Sequence, residues 1–215
     1  MEITITITII VITCVVSFVA FSNQTITDKL IFYPPAINND KEWYRFFTCG
    51  LIHADMAHLA FNMISFYFFG RIIEIYFKDI YKEMGGFMYV VLYVSSLAVC
   101  LLPTYTKQKE NYQYKSLGAS GAVSAVVFAA ILLRPTEGIR FAFLPRDTSI
   151  PGFVFGPIYL LVTAYLDKRG NSRINHSAHL WGALYGLAFL IVTAYFLSDY
   201  KPLARFIDQV SSYHF

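Results

Sequence analysis

Six apolar runs punctuate this chain, at about residues 3–22, 54–73, 85–102, 119–133, 149–166 and 178–197, and nearly all the charge is collected between them. A helix rises about 1.5 Å per residue, so roughly 20 uncharged residues match a hydrocarbon core of about 30 Å. No water is available there for a bare N–H or C=O, so each run must close its backbone hydrogen bonds within itself, as a helix. The sequence therefore predicts an all-α, polytopic membrane protein. Six transmembrane helices form a single domain over residues 1–215, and an even number of crossings puts its two ends on one side of the bilayer.

Composition points to the same solvent. Of the residues, 56% are hydrophobic and only 14% charged, more apolar surface than a soluble domain of this size can hide. The 17 Lys and Arg residues are scattered singly, without the stripe that follows a phosphate backbone, so nucleic acid is a poor partner. Cys14, Cys49 and Cys100 lie in or beside apolar runs, and three cysteines so spaced make neither a disulfide framework nor a zinc site; they read as packing residues. The first run sits where a secretory signal would. Acidic Glu2 follows Met1, however, no basic segment precedes the run, and Val19-Ala20-Phe21 is not a small-x-small cleavage site, so the run is expected to stay as a membrane helix.

Two runs are irregular. The fourth, opening at Gly118-Ala119-Ser120-Gly121 and closing at Arg134-Pro135, has too few residues to cross upright, so its N-terminus is expected below the membrane surface, inside the protein. The fifth carries Pro151, Gly152, Gly156 and Pro157, which predict a kink or loosened first turns, and a loose helix beside a buried site is a candidate gate. Residues 23–52 are too aromatic for disorder (Phe32, Tyr33, Trp43, Tyr44, Phe46, Phe47) and read as a loop lying partly in the membrane interface. Charge does not set orientation. One side carries eight basic residues, including Arg71, Arg134 and Arg146, and the other nine, including Lys29, Arg45 and Arg173.

Polar side chains within apolar runs are costly, and each needs a reason. In the second run His58 and Asn62 stand at i, i+4 on one face. In the sixth, His179, Gly182 and Gly186 form an i, i+3, i+7 stripe, and in the fourth Gly121, Ala125 and Ala129 follow Ser120 at four-residue spacing. Small residues let helix backbones approach, so packing these two stripes would bring Ser120 to His179. A neutral imidazole in hydrogen-bond reach can take the serine proton during attack and return it to the leaving amine. Free N–H groups at the helix start, with the His58/Asn62 face, suit the charge that develops on the attacked carbonyl oxygen.

Each group also has a structural role open to it. A membrane-helix serine such as Ser120 or Ser124 commonly bonds the carbonyl four residues back, and His58 or His179 alone can serve helix packing. His53 and His176, at helix mouths, read as solvated or interfacial. Five-residue spacing puts His53 and His58 on different faces, so no metal site is expected; nor is Gly118-Ala119-Ser120-Gly121 a G-x-S-x-G elbow, since Ala122 replaces the last glycine. It is the conjunction of these groups in one short six-run chain that points to catalysis.

With these pieces assembled, the chain resembles the rhomboid intramembrane proteases. The motifs that carry the resemblance are Trp43-Tyr44-Arg45, His53-x4-His58-x3-Asn62, Gly70-x3-Glu74, Gly118-Ala119-Ser120-Gly121 and Ala178-His179-x2-Gly182-x3-Gly186. The resemblance implies a serine endopeptidase with Ser120 as nucleophile, His179 as general base, and His58, Asn62 and the Ser120 amide stabilising the oxyanion, without cofactor or metal. It further implies a wet cavity open to the non-cytoplasmic side, cytoplasmic termini, a fifth helix that moves to admit substrate, residence in the cell membrane, and single-pass membrane proteins as substrates. Two departures stand out. Ser124 sits where some members stack an aromatic ring on the catalytic histidine, and Trp43-Tyr44-Arg45 replaces an adjacent Trp-Arg pair. Two other classes of function compete: a rhomboid-like protein that binds membrane clients without cutting them, which would lack the serine or the histidine, and a small transporter, for which no inverted repeat is visible.

Overall fold

Every apolar run is helical in the computed structural model, which describes residues 4–140, 145, 148–170 and 174–214. α1 (Ile5–Phe21) is followed by three short helices, α2 (Gln24–Leu30), α3 (Pro34–Asp40) and α4 (Arg45–Thr48), and by a 3-10 turn. Next come α5 (Met56–Tyr81), a second 3-10 turn, α6 (Gly85–Val99), α7 (Leu102–Gln108) and α8 (Ser120–Leu133). A two-residue antiparallel ribbon, β1 (Gly138–Ile139) with β2 (Ile150–Pro151), leads into α9 (Gly152–Arg169), α10 (His176–Leu197) and α11 (Pro202–Ser211). The helices that fall on the six apolar runs are α1, α5, α6, α8, α9 and α10. The segment Met56–Gln108, which holds α5, α6 and α7, and the helix α10 have the length and apolar composition to cross a bilayer, and α1 and α8 are shorter apolar helices.

α8 is the axis of the bundle. Its 14 residues reach only about 21 Å, so it cannot cross upright, and of them only Ser120 and Val127 are not fully buried. It is wrapped by residues of α5, α6 and α10, among them Phe66, Leu92 and Leu190, each 0% exposed. The outer faces are apolar too: Phe61 and Leu161 are 72% exposed and Phe196 74%, surface that water would penalise and lipid does not.

The helix bounds differ from the hydropathy runs where polar side chains find partners inside. α5 continues to Tyr81 rather than ending near residue 73. Glu74 breaks the hydropathy run, yet it is buried: Oε1 accepts the Ile5 N–H at 2.9 Å and Oε2 the Thr6 hydroxyl at 2.9 Å, while Thr6 Oγ1 lies 3.1 Å from the Tyr89 hydroxyl. One carboxylate thus caps the first turn of α1 and ties α1, α5 and α6 together. α10 begins at His176, because the Asn175 side chain caps it by accepting the Ala178 N–H at 3.1 Å. α9 runs unbroken through Pro157 from Gly152; the expected irregularity is confined to the ribbon, where Gly152 and Phe153 donate to the carbonyls of Glu137 and Pro135.

Residues 23–52 are not a loop but a run of short helices. Phe32, Ile37 and Phe46 are buried and cluster with Cys49, Cys100 and Ala178. Arg45 is buried, ion-paired to Glu42 and donating to the carbonyls of Asp28 and Ile31 at 2.8 Å, while Trp43 and Tyr44 are half exposed at the rim. The three cysteines are free thiols. Ile3 at the start of the first run, and Arg146 and Arg173 of the charge comparison, lie outside the described residues.

Candidate active site

The small-residue stripes of α8 and α10 meet backbone to backbone. A Cβ on Gly182 would fall on the Gly121 carbonyl, and one on Gly186 on the Ala125 carbonyl, well inside contact distance. Contact this close carries His179, one turn before Gly182, onto the first residue of α8. His179 Nε2 lies 2.7 Å from Ser120 Oγ, a direct hydrogen bond with the hydroxyl donating when the imidazole is neutral at Nε2. His176 stands 6.1 Å from His179, ring to ring.

The turn before Ser120 is held from three directions. Gly118 has φ +114, a conformation that L side chains rarely adopt, and its N–H donates to the Cys49 carbonyl at 2.9 Å. Ser116 pairs with Phe32 in both directions, at 3.0 and 3.1 Å. The third hold corrects an expectation, since His53 is neither solvated nor interfacial but 4% exposed. Ser17 Oγ donates to the Leu51 carbonyl at 2.8 Å and lies 3.0 Å from His53 Nδ1. A serine hydroxyl has one proton, so Nδ1 carries the hydrogen of that second bond and Nε2 is free to accept the Ala119 N–H, 3.5 Å away. His53 therefore fastens the backbone next to Ser120 to α1. The amides of Ser120, Gly121 and Ala122 open α8 and have no carbonyl of the same helix to meet.

His58 and Asn62 stand on α5 near this turn, in different ways. A Cβ on Gly118 would lie 2.7 Å from His58 Cε1 and 2.9 Å from Nε2, so the imidazole rests on the turn leading into Ser120. Its Nδ1 accepts the Ala54 N–H at 3.5 Å, which leaves the hydrogen on Nε2, the atom facing the turn. Asn62 is buried and its amide donates to the His58 carbonyl at 3.0 Å, within its own helix. Among the described residues no set of three or more His, Cys, Asp or Glu side chains is placed to hold a metal ion.

One turn into α8, Ser124 Oγ lies 3.1 Å from the hydroxyl of Tyr159 on α9, whose ring also packs on Phe128 at 5.4 Å. Tyr159 was invisible to sequence reasoning, because nothing local marks which aromatic of α9 faces Ser124. α9 is the least embedded span, with only Gly152, Gly156 and Thr163 fully buried.

Residues 40–196, well over half of the chain, match the family model described as Rhomboid domain. The chain is 32% identical over 155 residues to "Putative rhomboid protease YdcA" of Bacillus subtilis, an alignment covering 70% of this chain and 68% of the relative. It is 31% identical over 150 residues to RHOMBOID-like protein 12, mitochondrial, of Arabidopsis thaliana, covering 63% of this chain and 42% of the relative. With the bovine presenilin-associated rhomboid-like protein, mitochondrial, the identity is 28% over 139 residues, covering 64% and 35%. The chain thus spans less than half the length of the plant and bovine relatives. On the family match and the helical bundle together, this chain belongs to the rhomboid family of membrane proteins.

Proposed function

We propose that the protein is an intramembrane serine endopeptidase that cuts transmembrane protein substrates in or near the membrane, most simply the cell membrane, with Ser120 as nucleophile and His179 as general base. The observation that carries the reading is the 2.7 Å contact between Ser120 Oγ and His179 Nε2, made where two spans pack too closely to drift apart. As Oγ bonds to the scissile carbonyl carbon, its proton passes to Nε2, and the carbonyl π pair moves onto oxygen. Collapse of this adduct breaks the C–N bond, and the imidazolium gives its proton to the leaving amine. Water then attacks the acyl-enzyme, losing a proton to Nε2, and the proton returns to Oγ as the acid departs. The oxyanion would be met by the amides opening α8 and by His58 Nε2–H, with Asn62 recruited from its bond to the His58 carbonyl.

A fluorophosphonate serine-hydrolase probe tests the nucleophile. Wild-type protein in detergent should label, and Ser120→Ala and His179→Ala should not; labelling that survives Ser120→Ala defeats the assignment, and absence of labelling in folded wild type favours client binding. Asn62→Ala should slow cleavage by about a hundred- to a thousandfold, the usual cost of one oxyanion donor. Loss as complete as that of Ser120→Ala, with folding intact, would count against that role.

Because α9 is the least embedded span and meets α8 near the site through the Ser124–Tyr159 hydrogen bond, it is the one best placed to admit substrate. Tyr159→Phe keeps the ring and removes the bond. A neutral hydrogen bond contributes about 0.5–1.5 kcal/mol, so kcat/KM should rise about 2- to 10-fold, and Ser124→Ala should match it. A fall in both variants would show that the bond supports the site rather than restraining entry.

A further inference from the structure

A groove of about 1200 Å³ lies at the end of the bundle opposite Ser120. Its walls are the last turns of α5 and α10 and one face of α11, and the end of α8 contributes Leu133. Six charged side chains line it, Asp79, Lys82, Asp199, Lys201, Arg205 and Asp208, three of each sign. Among the described residues none of the six forms an ion pair. Charges of both signs in one groove can meet a ligand that itself carries both signs.

Backbone geometry and one hydrogen bond bear on where three of the charges stand. Lys82 has φ +53, a strained backbone for a lysine, in the tight turn between α5 and α6 that puts it at the groove wall. Gln209 donates to the Leu133 carbonyl at 3.1 Å, which pins α11 under the end of α8 and holds Arg205 and Asp208 on the groove side. Tyr76 and Tyr200 line the same groove as Arg205; burial and Tyr76 push the Tyr200 hydroxyl above its ordinary pKa, while Arg205 opposes the shift. Two hydroxyls beside a guanidinium make a phosphate-binding group.

The groove borders exposed apolar surface. Leu197, on its wall, is 54% exposed and adjoins Phe196 at 74%, and α11 presents Leu203 at 52% and Ile207 at 61%. A helix with exposed Leu and Ile on one face and Arg205 and Asp208 on another lies along a membrane surface. We propose that this groove binds the headgroup of a phospholipid bearing both a phosphate and a primary ammonium, with Arg205, Tyr76 and Tyr200 on the phosphate and Asp199 or Asp79 on the ammonium. The proposal is independent of the protease reading.

Phosphatidylethanolamine and phosphatidylcholine of identical acyl chains separate the possibilities, because trimethylation keeps the positive charge and removes its N–H donors. The 215-residue chain carrying Ser120→Ala is loaded with both lipids in competition, with a phosphatidylglycerol arm in parallel, and the retained lipid is counted by native mass spectrometry. Phosphatidylethanolamine should be retained about tenfold over phosphatidylcholine, the value of a single charge-assisted hydrogen bond. Asp199→Asn with Asp79→Asn should erase that preference, and Arg205→Gln should lower retention of both zwitterionic lipids. These side chains are exposed, so lipid-free melting should not change in the variants and a lost preference reads as a lost contact. Equal retention of the two lipids by the parent, preference for phosphatidylglycerol, or a preference unchanged in the variants would each overturn the proposal.

Discussion

Alanine at Ser120, at His179 or at both is expected to slow cleavage of a reconstituted single-pass substrate by nearly the same factor, on the order of 10⁴- to 10⁶-fold. The equality is the informative part. In the structure the two side chains share one hydrogen bond of 2.7 Å, and the chemistry assigns them one proton between them. Without the imidazole the hydroxyl has no acceptor for its proton during attack; without the hydroxyl the imidazole has nothing to activate. Each single change therefore removes the whole unit, and the second has little left to remove. Cleavage in proteoliposomes, followed by gel or a fluorogenic substrate, gives the three rates. A His179→Ala rate within tenfold of wild type would mean that another base serves Ser120. A double variant slower by the product of the single effects would mean that the two groups act separately.

What the sequence disclosed, and what it withheld, divides along a physical line. Periodicity within one element is local, so the stripes Gly121-Ala125 and His179-Gly182-Gly186 could be read directly, and their packing followed from the rule that small residues admit close backbones. Partnerships between distant segments were not legible. Glu74 ended a hydropathy run although it lies inside, because a hydropathy scale scores a carboxylate by type and takes no account of Ile5 and Thr6, 69 and 68 positions away. His53 was misread for the same reason: its partners are Ser17 and Ala119, and only the folded chain brings them to its two nitrogens. The first-loop segment was read as irregular because each of its helices is too short to show a period, at 7, 7 and 4 residues. Tyr159 sits in a helix whose aromatic residues are interchangeable until packing chooses one of them.

A single methyl group on α10 should cost much of the activity without touching Ser120 or His179. In Gly182→Ala the new Cβ would meet not only the Gly121 oxygen but also Gly121 C at 2.8 Å and Gly121 Cα at 3.2 Å. Those are backbone atoms in the first turn of α8, so no rotamer change relieves the clash and the two helices must separate. Separation at that level acts on His179 one turn away, and a displacement of about 1 Å in a reacting group costs about a hundredfold in rate. Cleavage by Gly182→Ala should therefore fall about a hundredfold or more, with a stability loss of about 1–3 kcal/mol from overpacking. Gly186→Ala meets Ala125 C at 2.6 Å and should destabilise as much, but it lies seven residues from His179, so its rate should fall less. Gly156→Ala on α9 is the control, since its Cβ finds side-chain neighbours only at 3.6 and 3.8 Å, ordinary contact distances. Rates and melting midpoints measured on the same preparations separate the two effects. If Gly182→Ala melts early yet cuts at the wild-type rate, then the close approach of α8 and α10 serves stability alone, and the placement of His179 must come from elsewhere in the bundle.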